Sequence, residues 1–128
     1  MTVCKTFASK TLNKGENYRK AELLENLQGH ENMASTYFDP TRNELYTFFN
    51  QESKDWENEY DKQKGELYFS HRKLQTIDQA PKWEQAIDRH VFLHYRDQGK
   101  GEYKYLGMAK GESLRTNANG QVRVFVIQ

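Results

Sequence analysis

The sequence predicts one α+β domain, in which a small, strongly curved antiparallel sheet or open barrel packs against one or two helices. One amphipathic stretch near the N terminus has helical spacing, and about five later stretches alternate apolar and polar residues. Irregular polar segments join these stretches. A chain of 128 residues suffices for a single domain with one modest core, and this combination of elements favours the curved sheet.

The helix is predicted over Tyr18–Gln28. Asn17 can cap its N terminus, and Gly29 is placed to end it. Its alanine and leucine residues form one apolar face. Residues 1–15 are rich in Lys, Thr and Ser, so we expect a loose N-terminal arm or a short strand there. The domain itself is expected over 16–128.

The strands are predicted where aromatic and β-branched residues alternate with polar ones. Besides the hairpin described next, they are Leu45–Asn50, Leu67–Lys73 and Val122–Ile127. Residues 30–42 are expected to form a loop, and 51–65 a long loop or a short exposed helix. Residues 74–88 read as irregular, and a polar loop is expected around Asn117–Gly120.

The stretch Arg89–Gly111 predicts an antiparallel hairpin. Two alternating runs flank the polar turn Asp97–Gly101, which contains two glycines. The hairpin carries basic side chains, aromatic rings and two histidines, a combination that suits a polyanion or a flat ring.

The composition limits the class of partner. The formal net charge is +1, so attraction to DNA must come from local clusters of basic residues. The single cysteine, Cys4, excludes a disulfide framework and a thiolate metal site. No long apolar segment opens the chain, so we expect neither a signal peptide nor a membrane span, and a cytoplasmic location.

Several segments together resemble one family, the C-terminal accessory domain of bacterial restriction proteins that combine a phospholipase-D-type nuclease with a superfamily-two helicase. Tyr18–Leu24, followed by Leu27 and Gly29, is similar to the family's opening helix. The run LYTFFNQESKDWENEYD resembles its strand and acidic-aromatic loop, and LYFSHR stands where the family has its next strand. The pair VFLHYRD and YKYLGMAKG resembles its closing hairpin. The order and spacing match over roughly residues 16–127, although Ser70-His71 replaces the family's His-Trp.

The resemblance implies a PUA/SRA-like open barrel and a role in recognising modified DNA for restriction, a form of antiviral defence. It implies double-stranded DNA as the partner, with a nuclease or helicase protein as a possible second partner. The nuclease and helicase parts are absent from this sequence, so their activities do not carry over.

A reader of an extruded base needs an aromatic ring to stack on the base, polar groups for its edge and cations for the phosphates. The predicted base-recognition residues are Asn50, Ser53, Trp56, Tyr60, His71, Gln75 and Trp83. The predicted phosphate contacts are Arg72, Lys73, Arg96 and Lys110, within a wider basic set that includes Arg89, Lys100 and Lys104. Tyr103 and Tyr105 are expected in the core.

Two other functions stay open. A phage or mobile-element protein could bind a host protein as an anti-restriction inhibitor. A metal-dependent nuclease could use Asp88 with Glu102 and Lys104, a pattern that also arises by chance in a chain with 29% charged residues. His90 and His94 share one face of a strand, but a zinc site needs more ligands, so we expect no metal, no cofactor and a non-catalytic role.

Overall fold

The structure is a computed structural model of the 128-residue chain. It describes residues 12–25, 30–33, 36–39, 43–52, 56–71, 88–109, 113–117 and 120–128.

Within these ranges the chain is mostly β, with ten strands in two sheets and one short helix. The elements in chain order are β1 (Asn17–Arg19), α1 (Lys20–Glu25), β2 (His30–Met33), β3 (Thr36–Asp39), β4 (Glu44–Asn50), β5 (Trp56–Asp61), β6 (Glu66–His71), β7 (Arg89–His94), β8 (Glu102–Ala109), β9 (Ser113–Asn117) and β10 (Gly120–Val126).

The first sheet has six strands in the order β1-β8-β7-β4-β3-β2. Its pairs are antiparallel except at the centre, where β4 and β7 run parallel and Phe48 lies beside Phe92. The sheet is therefore mixed, which corrects the expectation of a purely antiparallel one. A parallel pair requires a long connection, and the chain between β4 and β7 includes β5 and β6 of the other sheet.

The second sheet has four antiparallel strands in the order β5-β6-β10-β9. Two β-bridges between described residues join it to the first sheet. Glu52, after β4, forms a β-bridge with Glu57 of β5, and Ala109 of β8 forms one with Ile127 beyond β10. Among the described strands the sheets do not close into a barrel.

Two apolar clusters occupy the two faces of the first sheet. One cluster packs Leu23 of α1 against an aromatic floor in which the rings of Phe48 and Phe92 stack at 4.6 Å. The other lies between the sheets and combines residues such as Val91 and Leu93 of β7 with Phe125 of β10. Alternation along the strands directs successive side chains to opposite faces, so both faces of the first sheet are covered.

The predicted hairpin is confirmed: β7 and β8 pair antiparallel around a turn at 95–101. Tyr103 and Tyr105 are buried, as expected. The strands predicted from Leu45, Leu67 and Val122 are also present as β4, β6 and β10.

The predicted helix is wrong at its start. Asn17–Arg19 forms β1, which pairs with Lys104–Glu102 of β8, and helical structure begins at Lys20. The Asn17 cap is therefore not formed, because this residue takes part in a sheet. The predicted end at Gln28 and Gly29 lies outside the described residues.

Three segments that we expected to be loops contain strands. Residues 30–42 contain β2 and β3, 51–65 contains β5, and the loop expected around Asn117–Gly120 overlaps the end of β9 and the start of β10. Apart from β3, whose Thr, Tyr and Phe favour a strand, these stretches are rich in polar residues of low strand propensity. Each pairs with a neighbour in a sheet, and tertiary pairing overrides the local preference. Of the expected N-terminal arm, residues 12–15 are described, and Gly15 N donates to Tyr105 O at 2.8 Å.

Candidate nucleic-acid interface

The predicted base-recognition residues that the structure describes lie where β4 leads into β5. Asn50 is exposed at the end of β4. Trp56, the first residue of β5, pairs with His71, the last residue of β6. The backbone thus brings three of the predicted positions to one end of the two sheets. Ser53, Gln75 and Trp83 lie outside the described residues, as do the side chains of Trp56 and His71.

Asn58 ties β5 to the end of β4. This residue is 3% exposed, and its Nδ2 donates to Asn50 O at 2.6 Å while its backbone N donates to Gln51 O at 3.0 Å. Its Oδ1 is buried and has no hydrogen-bond partner among the described residues. The Asn50 side chain accepts a bond from the Tyr103 hydroxyl at 3.3 Å. Asn50 is thereby held in position from two sides.

The arginines that were predicted to contact phosphates differ in exposure. Arg96 is exposed, and its Nε lies 2.6 Å from Glu52 Oε2, with Glu57 Oε1 at 3.9 Å from NH2. Arg89, from the wider basic set, is 5% exposed, donates to Thr47 Oγ1 and lies over the Phe125 ring. Burial excludes Arg89 from a phosphate contact, which corrects that expectation. Arg72, Lys73 and Lys110 lie outside the described residues.

A cleft of about 480 Å³ opens between β8 of the first sheet and the β5–β6 turn of the second. We call it the tyrosine–lysine cleft because tyrosines and lysines dominate its lining. The lining residues are Lys14, Gly15, Tyr60, Lys62, Tyr95, Lys104, Tyr105 and Leu106. Its volume falls within the roughly 300–1,000 Å³ of small-ligand sites.

Three tyrosines are among the residues that line the cleft, and the hydroxyl of Tyr105 points away from it to His90. Burial, and then the charge of Asp61, raises the pKa of Tyr60 above its usual value. Burial is also the main reason that the pKa of Tyr95 is raised, and burial raises the pKa of Tyr105 to about 12. All three hydroxyls therefore keep their protons across the physiological range.

Lysine ammonium groups accompany the tyrosines in the lining of the cleft. Lys104 Nζ lies 5.3 Å from the centre of the Tyr95 ring, within cation–π range. Lys62 projects from the β5–β6 turn, where Asp61 Oδ1 accepts bonds from the backbone N of Gln63 and Lys64 at 3.0 and 3.1 Å. The turn is thereby fixed, and the cleft combines positive charge with flat aromatic surface.

Gly107 makes room for the third lysine. Its φ of +132° lies in the region that favours glycine, and an added Cβ would lie 2.9 Å from both Lys14 Cε and Gln128 O. The Lys14 side chain crosses this glycine, and its Nζ donates to Gln128 O. The pairing of β7 with β8 is irregular at the same point, between Val91 and Phe92.

Tyr105 is oriented by a polar network. Its hydroxyl lies 2.7 Å from His90 Nδ1, and His90 Nε2 lies 2.9 Å from Glu44 Oε2. The Tyr46 ring stacks on the imidazole at 4.6 Å. A protonated Tyr105 hydroxyl donates to Nδ1, and Nε2–H then donates to the carboxylate.

Of the sequence-predicted base-recognition residues, Tyr60 lines this cleft. Lys104 belonged to the wider basic set, whereas Lys14, Lys62 and Tyr95 were missed. Tyr60 was predicted as an aromatic residue of the polar segment 51–65, for which a loop or a short helix was expected. Tyr68 lies on the other face of the second sheet, opposite Glu59, and its hydroxyl donates to Glu66 Oε1 at 2.7 Å.

Asp88 and Lys104, two residues of the nuclease-like pattern, lie far apart in the structure. Asp88 directly precedes Arg89, which pairs with Ala109, whereas Lys104 pairs with Leu93 at the other end of the hairpin. A strand rises about 3.3 Å per residue, so the separation of Asp88 from Lys104 is on the order of 17 Å. In the described ranges, no group of three or more His, Cys, Asp or Glu side chains is arranged to hold a metal ion.

The part of the chain that the structure describes contains no helix that is long and apolar enough to cross a membrane.

No protein-family model and no curated protein matches the chain. Solved structures of similar fold include two from modification-dependent restriction endonucleases. The DNA recognition domain of the cytosine modification-dependent restriction endonuclease LpnPI superposes with a TM-score of 0.55 at 13% identity, over 99% of this chain and 79% of that one. The DNA modification-dependent restriction endonuclease AspBHI gives 0.54 at 12% identity, over 94% of this chain and 43% of that one. This chain thus spans less than half of the AspBHI chain. The resemblance to a modified-DNA recognition domain is confirmed at the level of fold.

Proposed function

We propose that this chain is a non-catalytic module that binds double-stranded DNA and recognises a modified base for a restriction-type system. The observation that carries the proposal is the tyrosine–lysine cleft, found in a chain whose fold is similar to the DNA recognition domain of LpnPI. Aromatic rings can stack on a base, and ammonium groups can bind the phosphates beside it. In this proposal the module acts in the cytoplasm, in antiviral defence, with a nuclease or helicase partner.

The arrangement of the sheets supports an open barrel of the PUA/SRA type as the scaffold. The bridges Glu52–Glu57 and Ala109–Ile127 join the sheets at two places, and the cleft lies in the space between them. Asn50, Trp56 and His71 are proposed to contact nucleotides next to the extruded base, because Trp56 and His71 lie at the end of β5 and β6 opposite the turn that lines the cleft. Ser53, Gln75 and Trp83, and the cations Arg72, Lys73, Arg96 and Lys110, stay predictions.

Binding to short duplexes at low salt tests this function. We expect the protein to bind double-stranded DNA, and to bind a duplex with one modified cytosine more tightly than a plain one, by fluorescence polarisation. Tyr95→Leu should weaken binding of the modified duplex about 5- to 150-fold, because stacking contributes roughly 1–3 kcal/mol per base. Tyr68→Leu, on the other face of the second sheet, is the matched control. Absence of binding to every duplex by the folded protein would overturn the proposal.

A stripe of acidic side chains favours a second candidate, the anti-restriction inhibitor. Glu57, Glu59 and Asp61 alternate with inward-facing residues of β5 and therefore share its outer face. Such a stripe could occupy a basic DNA-binding surface of a host protein. Capture of a host restriction protein from lysate, together with no measurable DNA affinity, would favour this candidate over DNA recognition.

A further inference from the structure

Residues 127–128, which follow β10, join the two walls of the tyrosine–lysine cleft, and we call them the seam. β10 pairs with β6 of the second sheet up to Val126. Ile127 N then donates to Gly65 O of the β5–β6 turn at 2.6 Å, and Gln128 N donates to Met108 O of β8 at 2.8 Å. The chain therefore passes from the second sheet to the first within two residues.

The seam lies at the edge of the cleft. Gly65 belongs to the same turn as Lys62, which lines the cleft on the side of the second sheet. Met108 follows the lining residue Leu106 by two positions on β8. Ile127 is 7% exposed and packs in the apolar cluster between the sheets. A displacement of the seam would therefore change the separation of the two walls.

Two glycines, one in each wall, allow the seam to come this close. Gly65 has a φ of +66°, and a Cβ added there would lie 2.9 Å from Ile127 O. Gly107 of β8 has a φ of +132°, and an added Cβ would lie 2.9 Å from Gln128 O and 3.0 Å from Ile127 Cγ2. Other residues rarely adopt these conformations. Both walls therefore reach the same two residues because glycine stands at each point of contact.

A lysine of the cleft is attached to the seam as well. Lys14 Nζ donates to Gln128 O, which holds the ammonium group on this side of the lining. The next residue, Gly15, donates its backbone N–H to Tyr105 O at 2.8 Å, so the backbone beside Lys14 is fixed along β8. A side chain that is already ordered loses less conformational entropy when a ligand binds. The seam thus positions a cation together with the two walls.

We propose that the seam sets the width of the tyrosine–lysine cleft, and that Gly65 and Gln128 are positioning residues for its ligand. The hydrogen bonds of the seam hold the β5–β6 turn and β8 at one separation, so a ring that enters the cleft meets both walls without rearrangement of the sheets. Preorganisation of this kind raises affinity because less must be ordered on binding. The effect on DNA rests on the function proposed above, whereas the separation of the walls is measured without DNA.

Two pairs of matched variants separate the seam from general stability. Gln128→Pro removes the N–H that bonds Met108 O, whereas its control Gln128→Ala keeps that N–H and shortens an exposed side chain. Gly65→Ala places a Cβ against Ile127 O. Its control, Gly101→Ala, adds a Cβ at a similar φ of +77° with no atom within 4 Å. Thermal unfolding gives a temperature at which the variants are folded, and Gln128→Pro suffices for the test if Gly65→Ala does not fold.

Spin labels measure the separation of the walls in the absence of DNA. They are attached through Arg19→Cys on β1 of the first sheet and Lys62→Cys on the β5–β6 turn, both exposed positions, in a chain that also carries Cys4→Ser. We expect the seam variants to broaden the distribution of distances between the two labels, and the controls to leave it unchanged. An unchanged distribution in the seam variants, or equal broadening in the controls, would overturn the inference.

Fluorescence polarisation with the modified and the plain duplex measures the consequence for recognition. We expect the seam variants to bind the modified duplex about 2- to 10-fold more weakly, the effect of one hydrogen bond, and to change the affinity for the plain duplex less. If the distances change but this preference does not, the positioning role is wrong and DNA binding stands. If no duplex binds although the distances change as expected, the proposed function fails and the control of the cleft by the seam stands.

Discussion

Tyr105 takes part both in the tyrosine–lysine cleft and in a half-buried polar network. Tyr105 is one of the residues that line the cleft. Its hydroxyl is hydrogen-bonded to His90, and His90 is hydrogen-bonded to Glu44. The side chain is 5% exposed. Burial first, and then the charges of Glu44 and Tyr18, raise the pKa of this phenol to about 12. A tyrosine in this environment resists ionisation as long as the chain is folded.

This environment predicts a loss of stability at alkaline pH. The folded chain keeps the Tyr105 hydroxyl protonated where the unfolded chain, with a pKa near 10, has lost its proton. The contribution to stability is therefore complete below pH 10 and decreases as the pH rises from 10 to about 12. Denaturant unfolding at a series of pH values measures the decrease, and tyrosinate absorbance measures the ionisation.

Tyr105→Phe provides the comparison, since it keeps the ring and removes the titrating group. We expect the variant to lose less stability than the original chain between pH 10 and 12, although it is less stable at neutral pH because His90 loses a partner. Equal alkaline losses in the two proteins would show that Tyr105 does not titrate in this way.

At the scale of elements, β8 has two roles. It pairs with β1 and β7, and three of its residues line the cleft. Its pairing with β7 shifts at Gly107, where one extra residue on β8 bends the strand. The bend and the absent side chain let Lys14 and the C-terminal residues approach the strand closely. The position of Lys14 in the cleft therefore depends on this glycine.

Gly107→Ala should destabilise the fold. The added Cβ would lie 2.9 Å from Gln128 O and from Lys14 Cε, and the positive φ is unfavourable for alanine. Backbone strain of this kind costs about 1–3 kcal/mol, so the free energy of unfolding should decrease by at least that range. Gly99→Ala is the control, because Gly99 does not have a positive φ in that range and the nearest atom to its added Cβ, Glu102 Oε2, is 4.0 Å away. Equal stability of the two variants would contradict the role given to Gly107.

The elements that were predicted correctly from the sequence are those whose local residue pattern agrees with the final fold. The hairpin of β7 and β8 was predicted because its alternation and its glycine-containing turn are both local signals. The strand β5 was missed because WENEYD is rich in acidic residues of low strand propensity. Its inward-facing residues Asn58 and Tyr60 nonetheless occupy alternate positions. The start of α1 was misplaced because pairing with β8, a contact distant in sequence, makes Asn17–Arg19 a strand.

At the scale of the whole molecule, a net charge of +1 conceals two regions of opposite charge. Lys14, Lys62 and Lys104 meet at the cleft from three distant parts of the chain. The outer face of β5 carries carboxylates instead, and Glu57 also neighbours Arg96. The lysine cluster could not be predicted from the sequence, because the contact between the sheets brings its members together. The acidic face was missed because residues 51–65 were expected to form a loop or a short helix.

This distribution of charge predicts that Lys104 contributes more than Arg96 to the salt dependence of DNA binding. Each phosphate neutralised by a protein cation contributes about −0.9 to the slope of log affinity against log salt concentration. Lys104→Gln should therefore make the slope shallower by about 1. Arg96→Gln should change it by less, because Glu52 and Glu57 already lie 2.6 and 3.9 Å from the guanidinium and compete with a phosphate. Polarisation titrations of one duplex at several salt concentrations measure both slopes. A larger change for Arg96→Gln would place the phosphate path along the hairpin turn rather than across the cleft.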